Sequence, residues 1–309
     1  MEKHLSIHAP SEPMQDASVP VESGATWKDY VQLMKPGILR SNVIAAFGGF
    51  WLASHWSINW ALMIFMLIGT SLIIASSCVF NNFLDREFDR KMARTRSRAL
   101  PSGRVQPTQV LWFGTILGLA GLTELVLLVN TLTAVLGLIG MFFYVIIYTA
   151  WLKRTSTLST VMGSFSGSMP PVMGYVAVSG AMDAGAWILF AILFLWQPPH
   201  FWALGIRRKE EYRAAGFMIL PVVKGTQRTK LQMIPYIVLL IPVSTLLYYY
   251  GYVGIVHLSV SVVLGGIWLI MALAGLKSKN DDIWARNNFI FSINYLMITF
   301  LIMIIDTAK

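Results

Sequence analysis

Nine apolar runs, near residues 38–56, 60–81, 108–129, 131–152, 157–178, 184–204, 231–250, 254–276 and 286–306, leave this chain few ways to fold. Each is about 20 residues long, the length that crosses a hydrocarbon layer at about 1.5 Å rise per residue. An open sheet at that depth would leave backbone groups unpaired, so helices are expected. The fold class that follows is all-α: a polytopic membrane protein with about nine transmembrane helices. Composition agrees. Charged residues make up 13% of the 309, about half the roughly 25% of a soluble domain. That is too little to cover a water-facing surface.

Residues 1–30 differ from the rest. They hold Pro10, Pro13 and Pro20, five carboxylates and no long apolar run, so a disordered cytoplasmic tail is expected there. The tail has neither the apolar stretch of a signal peptide nor the arginines of a transit peptide, which points to a bacterial plasma membrane. Residues 31–309 then form one transmembrane domain. The single cysteine, Cys78, excludes a disulfide framework.

The cations fix an orientation. With the N-terminus inside, 23 of the 24 lysines and arginines fall before the first span or in the even-numbered connections, and only Lys309 falls outside. The active-site loops are therefore expected in the cytoplasm and the C-terminus outside. The net charge of +9 reads as topology plus an anionic substrate, not as nucleic-acid binding.

Two cytoplasmic loops carry the chemistry. In the first, Asn81, Asp85 and Asp89 stand at i, i+4 and i+8, one oxygen-lined stripe on a helix continuing from the second span. Mg²⁺ takes oxygen ligands, usually one or two carboxylates with phosphate oxygens and water. The stripe thus reads as a Mg²⁺–diphosphate site, against the plainer reading of a solvated helix end. Arg94 and Arg98 follow at once, placed to fork onto phosphate oxygens as well as to set topology. In the second loop, Trp196-Gln197-Pro198-Pro199-His200-Phe201-Trp202 is expected to break the sixth span and aim His200 into a cavity walled by Trp196 and Trp202. Lys209, Glu210 and Glu211 come next, with Glu211 the better carboxylate for a metal. Asn42, Tyr148, Lys153 and Arg154 complete the candidate cavity. A transporter would need ionisable groups near the midplane, and only Glu124 lies well inside a span.

These residues resemble the UbiA superfamily of intramembrane prenyltransferases, and within it the branch whose acceptor is haem. The resemblance covers about residues 31–306. Its specific parts are Lys35-Pro36-Gly37 leading into Asn42, the Asn81/Asp85/Asp89 stripe, Met92 through Arg104, Pro170-Pro171-Val172-Met173-Gly174-Tyr175, and Pro198-Pro199-His200-Phe201-Trp202-Ala203-Leu204. It implies a UbiA-type helical bundle. It also implies transfer of farnesyl from farnesyl diphosphate to a vinyl group of protohaem IX (haem B), with water, giving haem O and diphosphate. Mg²⁺ would assist, haem would be substrate and not cofactor, and the product would go to haem A synthase or a terminal oxidase. Asn81, Asp85, Asp89 and His200 would be catalytic. Arg94, Arg98, Lys153, Arg154 and Lys209 would bind diphosphate. Asn42, Tyr148, Trp196, His200 and Trp202 would line the haem or prenyl cavity. Asn81, Asp85, Asp89 and Glu211 would hold metal. The chain departs from the superfamily pattern in one place: the usual second aspartate-rich motif after the sixth helix is replaced by His200, Arg208, Glu210 and Glu211. Transfer to an aromatic ring predicts that missing motif. A non-catalytic haem-binding assembly factor would not need the first stripe.

Overall fold

The structure, a computed structural model, describes residues 24–309. Its helices are α1 (Trp27–Leu33), α2 (Pro36–Ser54), α3 (Trp60–Arg90), α4 (Pro107–Leu128) and α5 (Thr131–Phe142). A π-helical stretch, Phe143–Leu152, carries α5 into α6 (Lys153–Thr155). Then come α7 (Ser159–Gly167), α8 (Met169–Ser179), α9 (Ala184–Arg207), α10 (Lys209–Ala215), α11 (Leu220–Val223), α12 (Gly225–Tyr249), α13 (Ile255–Gly275) and α14 (Asp281–Ile305). The only strand-like pairing among the described residues is an isolated bridge between Val253 and Thr307.

Every expected span has a helical counterpart, and among the described residues seven helices, counting Thr131–Thr155 as one, are long and apolar enough to cross a membrane. The other two explain the difference from nine. Helix α2 carries Arg40, Ser41 and Asn42 in its first half, which lowers its hydropathy. The run at 157–178 is interrupted at Ser168, giving α7 and α8. Of the tail expected over 1–30, residues 1–23 lie outside the described residues. Its end is corrected: Trp27–Leu33 is helical, with Thr26 and Asp29 forming a capping box. Polar residues between apolar runs start the long helices. Asn59, Asn130 and Asn280 each accept from a backbone N–H three residues on, and Asp183 accepts from Gly185 and Ala186.

Two features position the site. Helix α3 has 31 residues, about 46 Å at ~1.5 Å per residue, well beyond a hydrocarbon core of ~30 Å. Its last turns, which hold Asn81, Asp85 and Asp89, therefore reach the membrane boundary. Helices α2 and α8 cross in backbone contact: a Cβ on Gly174 would fall on the Ala46 carbonyl, and one on Gly49 on the Pro171 carbonyl. Small residues permit that approach where lipid supplies no hydrophobic drive.

Candidate active site

Asn81, Asp85 and Asp89 line one face of α3, and all three are buried. The Asn81 amide donates to Asp85 Oδ2 at 3.2 Å and to Thr149 Oγ1 at 2.9 Å. Thr149 is aimed there by the π-helical turn, its own hydroxyl donating five residues back to the Tyr144 carbonyl at 2.7 Å. Such stretches are rare and frequent at functional sites.

Cations surround the stripe. Lys153 Nζ lies 2.5 Å from Asp85 Oδ2, and Arg154 lies 3.8 Å from Oδ1 while donating to the Leu84 carbonyl at 2.7 Å. Arg98 pairs with Asp89 at 2.9 Å and reaches the Asn82 side chain. Asp85 Oδ1 is buried and has no hydrogen-bond partner among the described residues. A bare carboxylate oxygen beside a second carboxylate fits Mg²⁺, which keeps most of its shell for phosphate and water. No group of three or more His, Cys, Asp or Glu capable of a metal cage occurs among the described residues, so the protein supplies only part of a coordination shell.

Lys35, which the sequence marks only as part of the Lys-Pro-Gly run and in no site role, joins the stripe in the structure. Its ammonium donates to Asn81 Oδ1, so the atom through which Asn81 would bind metal is already engaged. Lys35 adopts a left-handed conformation (φ 52°, ψ 68°) directly before Pro36, costly for a residue with a Cβ and doubly so ahead of proline. Strain held in place by its surroundings concentrates at functional sites. Burial, with Lys153 and Arg98 nearby, pushes the Lys35 ammonium down to about 8, against the opposing pull of Asp85. Lys35 is 46 residues from Asn81, so only its place in the Lys-Pro-Gly run could have flagged it. Asn82 was also missed; it donates to the Leu33 carbonyl at 2.7 Å and ties α1 to α3.

A cavity of about 380 Å³ opens beside this cluster, lined among others by Lys35, Gln32, Asn82, Arg94 and Arg98. Arg94 is exposed at its mouth and, unlike Arg98, carries no ion pair among the described residues. Helix α1 forms one wall. Its Asp29 binds Arg104 at 3.0 Å; burial raises the Asp29 carboxyl, but hydrogen bonds from Thr26 and Arg104 outweigh this and hold it below the ordinary value.

The second loop meets the first through aromatic rings. Phe217 stacks on Phe88 at 5.0 Å and lies 4.3 Å from the Lys153 ammonium. Its charged residues do not join the stripe. Glu211 is exposed and paired with Arg208 at 3.0 Å, and Lys209 lines a separate cavity of about 400 Å³ with Asp281 and Asp282. Three further expectations are corrected. Helix α9 runs unbroken through Pro198 and Pro199, because its faces are packed by neighbouring helices. Trp202, two residues or roughly 200° round the helix from His200, is fully buried in a core cluster with Met233 and Trp284 and walls no cavity with His200. Asn42 turns back to its own helix, donating to the Ile38 carbonyl at 2.8 Å.

His200 is buried between the rings of Trp196 (4.5 Å) and Phe289 (4.7 Å), with Nδ1 2.7 Å from Ser292 Oγ. Tyr148 stacks on Tyr144 at 5.5 Å beside Lys153. The structure thus brings together Asn81, Asp85, Asp89, Arg98, Lys153, Arg154 and Tyr148, with Arg94 at the mouth. It places His200 and Trp196 in a second, aromatic centre against α14.

This multi-helix bundle, with a buried acidic stripe ringed by cations, is an intramembrane enzyme. The chain belongs to the UbiA prenyltransferase family, whose model matches residues 42–294. It is 49% identical over 290 residues to protoheme IX farnesyltransferase 1 of Bacillus subtilis (strain 168), with 90% of each chain covered. To the protoheme IX farnesyltransferase of Alkalihalophilus pseudofirmus it is 46% identical over 295 residues, covering 94% of this chain and 93% of the relative. Its fold is similar to the solved structure of a digeranylgeranylglyceryl phosphate synthase (TM-score 0.77, 21% identity, 90% of this chain and 97% of the other). It is also similar to that of a UbiA homolog from Archaeoglobus fulgidus bound to GPP and Mg²⁺ (TM-score 0.68, 13% identity, 89% and 99% covered).

Proposed function

We propose that the chain transfers the farnesyl group of farnesyl diphosphate to a vinyl group of protohaem IX, with addition of water, giving haem O and diphosphate. One observation carries the diphosphate half: the buried Asp85 carboxylate with a bare oxygen, amid Lys35, Lys153, Arg154 and Arg98. The haem half rests on likeness to the protoheme IX farnesyltransferases.

Asp85 and Asp89 are the metal-holding residues, with Asn81 orienting Asp85. When bound there, Mg²⁺ would neutralise charge developing on the departing diphosphate. Arg98, Lys153, Arg154 and Lys35 aim fixed positive charge at the same group, and Arg94 receives it at the cavity mouth. The C1–O bond of farnesyl diphosphate breaks, its electron pair leaving with diphosphate, and an allylic cation remains. The vinyl π pair of haem bonds to C1. The cation so formed, next to the pyrrole ring, takes the oxygen of water and releases a proton. Stacked rings such as Tyr144–Tyr148 and Phe143–Phe165 keep water from the allylic cation before haem reaches it. His200 and Trp196 bind the haem side.

The setting is a bacterial plasma membrane, with the N-terminus and both charged loops in the cytoplasm and the C-terminus outside. Haem O then serves a terminal oxidase directly or through haem A synthase. Purified protein in liposomes, given farnesyl diphosphate, Mg²⁺ and haem, should yield an extracted haem heavier by one farnesyl and one hydroxyl group. Unmodified haem, with farnesyl transferred instead to an aromatic acceptor, would overturn the proposal.

A further inference from the structure

Ser292 lies on α14 and joins the aromatic centre at two points. Its carbonyl accepts from Trp196 Nε1 at 2.8 Å, and its hydroxyl oxygen lies 2.7 Å from His200 Nδ1. The hydroxyl has one hydrogen, and that hydrogen is committed: Ser292 Oγ donates to the Phe289 carbonyl at 2.7 Å. Toward His200 the oxygen can only accept. The Nδ1 atom must therefore carry a proton. Nε2 has no hydrogen-bond partner among the described residues and is not one of their fully buried unpaired atoms, so it keeps open space before it; a second proton would put a charge on a ring stacked between two others with no carboxylate to pair it. The imidazole is left as the Nδ1–H tautomer with its Nε2 lone pair bare. Stacking on Trp196 and Phe289 at interplanar angles of 20° and 26° prevents the ring from turning.

We propose that Ser292 is a positioning residue: it fixes the tautomer and ring orientation of His200 so that Nε2 is presented to the iron of the haem acceptor. A hydrogen bond on the far nitrogen of a ligating histidine sets both the tautomer and the basicity of the ligating one, and a bare imidazole nitrogen suits iron. This rests on the haem reading above and adds a residue and a chemical role to it.

The tautomer is measurable without haem. The chain has five histidines, so ¹⁵N-histidine spectra of the full protein, with H200Q to assign the signal, report the protonated nitrogen. Wild type and S292T should show Nδ1–H; S292A should show the other tautomer or a mixture. Ferric protohaem is then titrated into each. Wild type and S292T should give a nitrogen-ligated haem spectrum, which S292A and H200Q weaken or lose. A wild-type Nε2–H signal would overturn the tautomer assignment. The expected tautomers with identical haem spectra in wild type, S292A and H200Q would overturn the iron contact. Neither result bears on whether wild type makes farnesylated haem, which is read separately by product mass.

Discussion

Replacing Asp85 by asparagine keeps the side chain's shape and removes its charge, and the structure fixes what should follow. Asp85 is 3% exposed, and its partner Lys153 is 2.5 Å away with a side chain only 13% exposed. Removing one partner of a buried pair costs roughly 3–5 kcal/mol. Lys153 keeps some exposure and also faces the Phe217 ring, so the low end, about 3 kcal/mol of stability, is expected to go. Turnover loses the bare Oδ1 as well, and removing one group that stabilises developing charge costs about 10²–10³ in rate. Turnover in D85N should fall about 10³-fold. A counter-ion and a metal carboxylate are separated by repeating the change in a K153M background, where methionine still packs against the rings. If Asp85 only neutralised Lys153, D85N would cost nothing further there. If its carboxylate holds the metal against diphosphate, the double variant falls another 10²–10³ below K153M while regaining thermal stability. Product haem is quantified by chromatography and mass, and unfolding is followed in detergent. Equal turnover in K153M and the double variant would refute the reasoning.

Lys35 sets a pH dependence: with its ammonium depressed to about 8, raising pH through that value removes one positive charge from the free site. The KM for farnesyl diphosphate should climb between pH 7 and 9.5, and K35R, charged throughout, should flatten the rise; a flat wild-type profile would contradict this. Arg94→Lys replaces a fork by a point charge at the cavity mouth and should raise that KM about tenfold with little change in folding; an unchanged KM would leave Arg94 a topology signal. For orientation, cysteines placed at Ser102 and Lys224 should react with a thiol reagent only from the cytoplasmic side, since native Cys78 is buried; labelling of both from outside would reverse the assignment.

Hydropathy alone located the spans, because lipid contact is a composition requirement that acts on each helix separately. The Asn81/Asp85/Asp89 stripe was legible for a similar reason: it lies on one helix, and helical spacing is local. What the sequence hid depends on which helices meet. The place of Lys35 against Asn81 arises from α2 packing beside α3. The π-helical turn that aims Thr149 is tertiary in origin, since nothing in Phe143–Leu152 requires it. Pro198-Pro199 looked like a break, yet the packing around α9 holds the helix together. Nearness in sequence places Trp202 with His200, although two residues along a helix point to nearly opposite sides. Glu211 reads in sequence as a metal carboxylate, yet Arg208, three residues before it on the preceding turn, pairs with it.

The position of the stripe follows from opposing demands of the reaction itself. An allylic cation is consumed by water, so C1 of the prenyl chain belongs in an apolar interior. A diphosphate and its counter-charges are stable only near water or among fixed cations. Both conditions hold together only at the membrane boundary, with the site open to the aqueous side and closed beneath. Helix α3 crosses that boundary without interruption. In the two turns before Asn81 its buried residues are Ile73, Ala75, Ser76, Ser77, Cys78 and Val79; beyond it stand Asn82, Asp85 and Asp89. The cations arrive from elements that end at the same level: Lys35 at the start of α2, Lys153 and Arg154 at the end of the α5–α6 helix, and Arg98 from the loop after α3. Each sits at a helix end or in the loop beyond one, so under the proposed function one arrangement would supply both the positive charge facing the leaving group and the clustering of cations between spans.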